Sequence, residues 1–204
     1  MIADEPTAWR AVGFDVDGAA CAVGSVRLRF VGSGERRGIV EWSLRGFSSR
    51  ELDGLPTVAS ESPPAAGAAH PNGVESIDHL VVMTPDLDRT AEAMRGAGFD
   101  FRRLREGPTP GGSVRQAFFR MGEVILEVVE APDGTKLAAD PAGPARLWGI
   151  SFLVPDLDAT AAALGDLLGT PRDAVQPGRR IATLRREAGL GPAVAFMTPG
   201  PGAI

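Results

Sequence analysis

The six-residue pattern PDLDxT occurs twice in this chain, at residues 85–90 and 155–160, each time between an apolar stretch and a stretch with helical spacing. Proline cannot donate to a strand ladder, and a following aspartate can cap a helix, so the pattern marks a strand-to-helix turn. Residues 77–83, before the first copy, are mainly β-branched or apolar, which favours a buried strand. The repeat therefore predicts two copies of one strand–turn–helix unit.

The first copy continues into three more strands. Leu87, Ala91 and Met94 have the spacing of a buried helical stripe, and glycines follow to end the helix. Two strands are expected to meet at residues 121–122, and period-two alternation in the last strand places Glu127 on one face with apolar neighbours. The order of elements is therefore βαβββ.

The second copy repeats this order. LWGISFLV provides the first strand, and Leu157 to Leu168 are expected to be helical, with Gly169 ending the helix. Three strands are then expected over residues 173–176, 180–185 and 193–198.

These motifs are similar to those of a known family. The stretches IDHLVV, PDLDRT, AGF and GEVILEVVE resemble a module of the vicinal oxygen chelate superfamily, which includes glyoxalases, bleomycin-resistance proteins and extradiol dioxygenases. The resemblance covers residues 75–132 well and residues 146–199 less well. It implies an α+β fold in which paired βαβββ modules form a cleft with their curved mixed sheets. It also implies that His79 and Glu127 stand at two positions that hold a divalent ion in the family's metal enzymes.

The second module departs from this metal pattern. Our alignment places Gly149 opposite His79 and Val194 opposite Glu127, so half of the family's ligand set is missing. A site with two protein ligands binds a cation weakly. A bound Zn, Mn, Fe, Co or Ni ion would need further ligands.

Three sources of further ligands are open: Glu41, Gln116, or a second chain, since members of this family often exchange modules between protomers in a homodimer. The alternative is that His79 hydrogen-bonds a carboxylate such as Glu127. This pairing would satisfy both groups and leave acid–base chemistry open, so both residues are also candidate catalytic groups.

A second candidate site is rich in arginine. Pro/Gly turns precede arginine-containing strands at residues 106–120 and 176–189. An arginine beside an aromatic ring suits an anionic or planar ligand, which it binds by bidentate hydrogen bonds and stacking. The alternative is that the arginines are solvated and the phenylalanines belong to the core. The candidate ligand-binding residues are Arg115, Gln116, Phe118, Arg120, Arg179 and Arg180, of which Gln116, Phe118 and Arg120 share one strand face.

The first segment contains further strand-like stretches. CAVGSVRLRFV aligns with FRMGEVILEVV, so residues 8–32 resemble the last three strands of a module, with a first strand at 38–46 and a short helix from Ser48 to Leu55. This predicts a β-rich, permuted or partial module over 8–55; the alternative is an unrelated meander of about four strands. His70 lies in a Pro/Ala/Gly-rich linker and is expected to be solvated. The expected segments are 1–57, 58–73 (linker), 74–133, 134–145 (loop) and 146–204.

Composition excludes several classes of protein. The net charge of −5 offers no electrostatic case for nucleic-acid binding. The single cysteine, Cys21, excludes disulfides within the chain and is expected to be a small core residue. The acidic start is not a secretory signal, and no apolar run approaches the roughly 20 residues of a membrane helix. We expect a soluble cytoplasmic protein without a membrane partner.

Three functions follow from these observations. We favour a glyoxalase-like protein with an incomplete metal site that binds a small organic ligand, anionic or aromatic, in the cleft between the modules. The alternative is a metal-dependent lyase, isomerase or dioxygenase acting on a small oxygenated substrate, in which the ion would polarise vicinal oxygens. The third is a non-catalytic protein with a structural or partner-binding role. The fold is compatible with all three.

Overall fold

The computed structural model describes residues 1–47, 52–109 and 112–201. The chain divides into two compact units. One contains Met1–Val40, Pro63–Asp78 and Gly149–Ile204, and the other contains Glu41–Ser62 and His79–Trp148. The N-terminal segment is therefore shared between the two units.

The N-terminal segment forms a short helix and two pairs of strands. Its elements are α1 (Pro6–Ala11), β1 (Ala20–Val23), β2 (Val26–Arg29), β3 (Trp42–Arg45) and β4 (Thr57–Ser60). Strands β1 and β2 form an antiparallel hairpin, whereas β3 and β4 are parallel.

This segment is β-rich as predicted, but its details differ from the alignment. Residues 8–32 contain two strands where three were expected, because Pro6 starts a helix and the following chain turns. The first half of the helix expected from Ser48 to Leu55 lies outside the described residues. Its last part, Leu52–Leu55, forms turns.

The first module has the predicted βαβββ order. Its elements are β5 (Ser76–Thr84), α2 (Leu87–Gly96), β6 (Asp100–Thr109), β7 (Gly112–Met121) and β8 (Val124–Glu130). The strands lie in the order β5-β8-β7-β6, with β5 parallel to β8 and the other neighbours antiparallel.

Helix α2 forms for the reasons that the sequence indicated. The Asp86 side chain accepts a hydrogen bond from the backbone N–H of Arg89 and caps the helix. The stripe of Leu87, Ala91 and Met94 is buried. It packs on a core cluster with strand residues such as Phe119, so the helix covers one face of this sheet and leaves the other face for a site.

The second module repeats the order with shorter elements. They are β9 (Arg146–Leu153), α3 (Leu157–Leu164), β10 (Arg172–Asp173), β11 (Arg180–Thr183) and β12 (Ala193–Met197). The strand order is β10-β11-β12-β9, with β12 parallel to β9. Helix α3 ends four residues earlier than predicted, because Gly165 leaves the helical region with φ 53° and a 3₁₀ turn follows.

The N-terminal residues complete the core of the unit that contains most of the second module. Trp9 is fully buried and donates its indole N–H to Asp4 at 3.0 Å. The ring of Phe14 lies 4.9 Å from that of Phe152, centroid to centroid. Cys21 is buried as predicted, and burial raises the pKa of its thiol to about 12, which makes it a poor nucleophile.

The prediction for His70 was wrong. This residue is 8% exposed, its Nδ1 accepts a hydrogen bond from the backbone N–H of Asp15, and its Nε2 lies 3.1 Å from the carbonyl of Ala22. Since Nδ1 is an acceptor, the ring is neutral with its proton on Nε2, which donates to Ala22. The predicted linker also began too early, because residues 58–60 belong to strand β4. Residues 61–70 contain no strand or helix.

The fold class is therefore α+β, with two βαβββ modules and an added β-rich N-terminal segment. Within the described ranges, no helix is long and apolar enough to cross a bilayer.

Candidate functional site

The face of the first module opposite helix α2 carries a set of polar and aromatic side chains. Strand register places these residues on the same side, because directly paired residues on neighbouring strands point to one face. We call this set the polar face; it consists of His79, Arg103, Arg105, Gln116, Phe118 and Glu127.

His79 and Glu127 meet at the centre of the polar face. They lie on the adjacent parallel strands β5 and β8, where His79 pairs with Ile125, two residues before Glu127. The His79 Nε2 atom is 3.4 Å from Oε2 of Glu127, and each side chain is 15% exposed. The two residues are thus close enough for an ion pair or a proton transfer, and both remain reachable from solvent.

Gln116 and Arg105 extend this contact across the sheet. Gln116 Nε2 donates a short hydrogen bond to Oε1 of Glu127. The other end of the amide accepts a hydrogen bond from Arg105 Nη1 at 3.1 Å. Because arginine can only donate, it holds the amide oxygen toward itself and the amide N–H groups toward Glu127. A continuous chain of polar contacts therefore runs from β5 through β8 and β7 to β6.

Arg103 and Phe118 form the aromatic part of the polar face. The Arg103 guanidinium carbon lies 4.8 Å from the centroid of the Phe118 ring, which is a cation–π distance. Among the described residues, no carboxylate lies within ion-pair distance of Arg103 or Arg105. Two arginines therefore face one carboxylate, Glu127, and the polar face has an excess of positive charge.

A family model confirms the fold that the motifs suggested. The model of the Glyoxalase/Bleomycin resistance protein/Dioxygenase superfamily matches residues 78–183, more than half of the chain. The chain belongs to this superfamily. No curated protein matches the chain.

Solved structures show the same superfamily fold. Methylmalonyl-CoA epimerase from Mycobacterium tuberculosis is 19% identical with a TM-score of 0.52, over 63% of this chain and 91% of that one. A hypothetical protein from Bacillus halodurans is 17% identical with a TM-score of 0.52, over 63% and 97%. A variant of Streptomyces coelicolor methylmalonyl-CoA epimerase in complex with 2-nitronate-propionyl-CoA is 24% identical with a TM-score of 0.50, over 63% and 96%. At these identities the likeness establishes the fold alone.

The two predicted ligand-binding arginines of the first module, Arg115 and Arg120, lie on opposite sides of the sheet. Arg115 points toward the helix side of the sheet, where it bonds Glu130 at 3.1 Å and Asp88 at 2.8 Å. The hydrogen bond to Asp88 raises the pKa of Arg115 above its usual value. Arg120 is exposed and donates to the carbonyl of Gly122 at 2.8 Å. Arg115 therefore lies on the other side of the sheet from the polar face. Arg120 shares the side of the polar face, because it pairs with Ile125, which also pairs with His79.

The two predicted ligand-binding arginines of the second module form ion pairs with aspartates of their own unit. Arg179 is half-buried and bonds Asp78 at 2.6 Å and the carbonyl of Thr198 at 2.8 Å. Arg180 bonds Asp158 of the second PDLD turn at 2.7 Å. This pair repeats the contact of Arg115 with Asp88, so one strand arginine stabilises each PDLD turn.

Two residues of the polar face were not among the candidates named from the sequence. Arg103 and Arg105 stand two apart in DFRRLREG, and this spacing indicates a shared strand face. The strand register shifts between Phe101 and Arg103, and this irregularity obscures which arginines share the face with Gln116.

The donor set does not fit a resident divalent ion held by this chain alone. The described residues contain no group of three or more His, Cys, Asp and Glu side chains that could hold a metal. Gln116 could add a ligand, but its carbonyl oxygen is bonded to Arg105, whose positive charge opposes a nearby cation.

The second module supplies no replacement ligands at the corresponding positions. Gly149 pairs with Ala193, just as His79 pairs with Ile125. The counterpart of Glu127 is therefore Ala195 rather than Val194, one residue beyond the position given by our alignment. Neither Gly149 nor Ala195 has a side chain that can bind a metal ion.

Proposed function

We propose that this protein binds a small organic anion with a planar or aromatic body on the polar face of the first module. The observation that supports this most directly is the pair of arginines without carboxylate partners among the described residues, one stacked on Phe118 and one bonded to Gln116. The sequence suggested the cleft between the modules; the proposal concerns the face of the first module alone.

Arginine side chains are well suited to bind a planar organic anion. A guanidinium binds a carboxylate or phosphate through two parallel N–H bonds and is more weakly hydrated than an ammonium group. Stacking on Phe118 and bonding to Gln116 restrict Arg103 and Arg105 before a ligand arrives. Such restriction lowers the entropy lost on binding. A planar ligand can also stack on the guanidinium of Arg103.

A structure of similar fold is consistent with ligand binding. The Streptomyces coelicolor variant was solved in complex with 2-nitronate-propionyl-CoA. This supports the proposal at the level of the fold, because a protein of similar fold binds an organic ligand. The ligand of the present chain follows from its own side chains.

Calorimetric titration with benzoate and benzamide tests the proposal. Benzoate should bind, and benzamide, which has the same shape without the charge, should bind at least about tenfold more weakly, since it loses a charge-assisted pair of hydrogen bonds. Arg103→Gln should weaken benzoate binding by a similar factor. The matched control is Arg102→Gln, because Arg102 is 57% exposed and pairs with Asp100. Equal affinities for the two compounds, or equal effects of the two substitutions, would contradict the proposal.

The alternative is a metal-dependent lyase, isomerase or dioxygenase. The contact between His79 and Glu127 favours it, but the remaining ligands would have to come from a second copy of the chain. Elemental analysis of the purified protein, with His79→Ala as the comparison, distinguishes the two functions. Near-stoichiometric metal that is lost in the variant would favour the metal enzyme, and metal-independent binding of benzoate would favour the first proposal.

A further inference from the structure

We infer that the ligand of the polar face carries a neutral hydrogen-bond donor, such as a hydroxyl group, at the end opposite its anionic group, and that Glu127 accepts this donor. The inference rests on the proposed function, since it concerns the same face. It specifies the ligand class further: a short hydroxy-acid with a rigid planar body, rather than a simple acid or a diacid.

The surroundings of Glu127 orient its carboxylate as a hydrogen-bond acceptor. An ionised carboxylate offers about four lone-pair positions. Gln116 donates to Oε1, and His79 Nε2 lies 3.4 Å from Oε2, so both oxygens have polar neighbours and a further donor would approach from the solvent side. Glu127 remains 15% exposed. Because Arg105 keeps the Gln116 amide N–H directed at Glu127, the carboxylate is held as an acceptor with a fixed orientation.

Arg103, Phe118 and Glu127 lie in one row across the sheet. Arg103 pairs directly with Phe118, and Phe118 pairs directly with Glu127 on the next strand. Neighbouring strands are about 4.8 Å apart, so the row crosses the sheet over about 10 Å of backbone. It presents a cation at one end, an aromatic ring in the middle and a carboxylate at the other end.

This order of charges determines the polarity of the ligand. A ligand lying along the row places its anion at the arginines, its planar body beside the Arg103–Phe118 pair and its far end at Glu127. A second anion at the far end would meet the Glu127 carboxylate in a half-buried site and be repelled. A hydroxyl at the far end would instead donate to that carboxylate, and hydrogen bonds to charged acceptors are among the stronger ones.

Three further probes test the inference beside benzoate. 4-Hydroxybenzoate carries the hydroxyl opposite the carboxylate, 2-hydroxybenzoate carries it adjacent to the carboxylate, and terephthalate carries a second carboxylate at the far end. For the unmodified protein we expect 4-hydroxybenzoate to bind about tenfold more tightly than benzoate, 2-hydroxybenzoate to show no gain, and terephthalate to bind more weakly than benzoate.

The variant Glu127→Gln distinguishes recognition of the ligand's hydroxyl group from binding of the ligand's carboxylate. It keeps the shape of the side chain and removes the charge, so the gain for 4-hydroxybenzoate should fall below about threefold and terephthalate should recover to the level of benzoate. Its thermal unfolding, compared with that of the unmodified protein, shows whether the fold is retained.

The outcomes separate this inference from the proposed function. If benzoate and 4-hydroxybenzoate bind the unmodified protein equally well, the inference is overturned and the anion site stands. If the gain persists in a folded Glu127→Gln protein, the donor is bound elsewhere and the inference is equally overturned. If none of the probes binds, the proposed function fails together with the inference.

Discussion

At the scale of single residues, His70 shows how burial fixes a protonation state. Its Nδ1 accepts from the backbone N–H of Asp15 while its Nε2–H donates to Ala22. A proton added to Nδ1 would face the backbone N–H of Asp15 and break the hydrogen bond between them. Burial is the main cause that lowers the pKa of His70 below its usual value; the bond to Ala22 and the charge of Asp15 act in the opposite direction.

This lowered pKa predicts a pH dependence of stability. The unfolded chain, with a histidine pKa of about 6.5, binds the proton before the folded chain as the pH falls. His70 therefore contributes stability that is complete above about pH 6.5 and declines below it. His70→Gln keeps an acceptor and a donor but does not titrate, so its free energy of unfolding should fall less between pH 7.5 and 5.5. Urea unfolding at both pH values measures this difference.

The other histidine provides the control for that experiment. His79→Gln replaces the histidine of the polar face and leaves His70 in place, so it should retain the decline attributed to His70. An equal decline in His70→Gln and the unmodified protein would show that His70 does not cause it.

The sequence predicted some of these residues and not others. His79 and Glu127 could be paired because they lie in the first and last strands of one module, and these two strands are neighbours in the sheet. His70 could not be placed, because its burial depends on residues 15 and 22, far away along the chain. Composition describes a linker locally and contains no information on such long-range contacts.

At the scale of elements, Arg89 joins three segments around the start of helix α2. Its guanidinium bonds the Asp53 carboxylate at 2.7 Å and the carbonyls of Pro141 and Gly143 at 2.5 and 2.6 Å. Asp53 has a positive φ of 53° and a side chain that is 9% exposed. The contacts of Arg89 therefore hold both a buried carboxylate and a turn in an unusual backbone conformation.

Removal of Arg89 should therefore destabilise the protein. Arg89→Ala leaves the Asp53 carboxylate buried without its main partner, and we expect a loss of about 2 kcal/mol in the free energy of unfolding. Arg102→Ala removes an exposed ion pair and should cost less than about 1 kcal/mol. Urea denaturation of both variants tests this, and a loss at Arg89 no larger than that at Arg102 would contradict the role assigned to it.

Helix α2 was predicted correctly from the sequence, whereas helix α1 and the end of helix α3 were not. Helix α2 has a capping aspartate, a regular apolar stripe and terminal glycines, which are all local signals. Helix α1 has six residues, less than two turns, so no periodicity marks it. Helix α3 was predicted to end at Gly169, but it ends at Leu164 because Gly165 has a positive φ of 53°. Two nearby glycines could each end the helix, and the sequence pattern did not distinguish between them.

At the scale of the whole molecule, the N-terminal segment contributes to both compact units. Residues 1–40 belong to the unit with most of the second module, and residues 41–62 belong to the unit with the first. Trp9 and Trp42 are each buried in the core of their own unit. The segment is therefore a structural part of both units.

Deletion of residues 1–40 should disrupt the unit that contains them. The rings of Phe152 and Phe196 are fully shielded from solvent, and both lie beside Phe14. Exposure of such rings in a truncated chain should increase the binding of a hydrophobic dye and remove the sharp thermal transition. Unchanged dye binding and an unchanged melting temperature would show that residues 1–40 are dispensable for this unit.

Sequence analysis identified the two modules but not this division of the N-terminal segment. The repeated PDLD turn and its flanking patterns are local, so they identify the modules directly. The division at Val40 and Glu41 depends on which long-range contacts each half makes, and no composition change marks it. The resemblance to the superfamily does not predict it either, since its matching model covers only residues 78–183.

The central claim is that the polar face of the first module binds an organic anion, and the most direct measurement is a nitrogen–proton NMR titration with benzoate. Benzoate should shift the side-chain signals of Gln116, Arg103 and Arg105 with one common affinity, and benzamide should not shift them. Shifts confined to other residues, or equal shifts with both compounds, would contradict it.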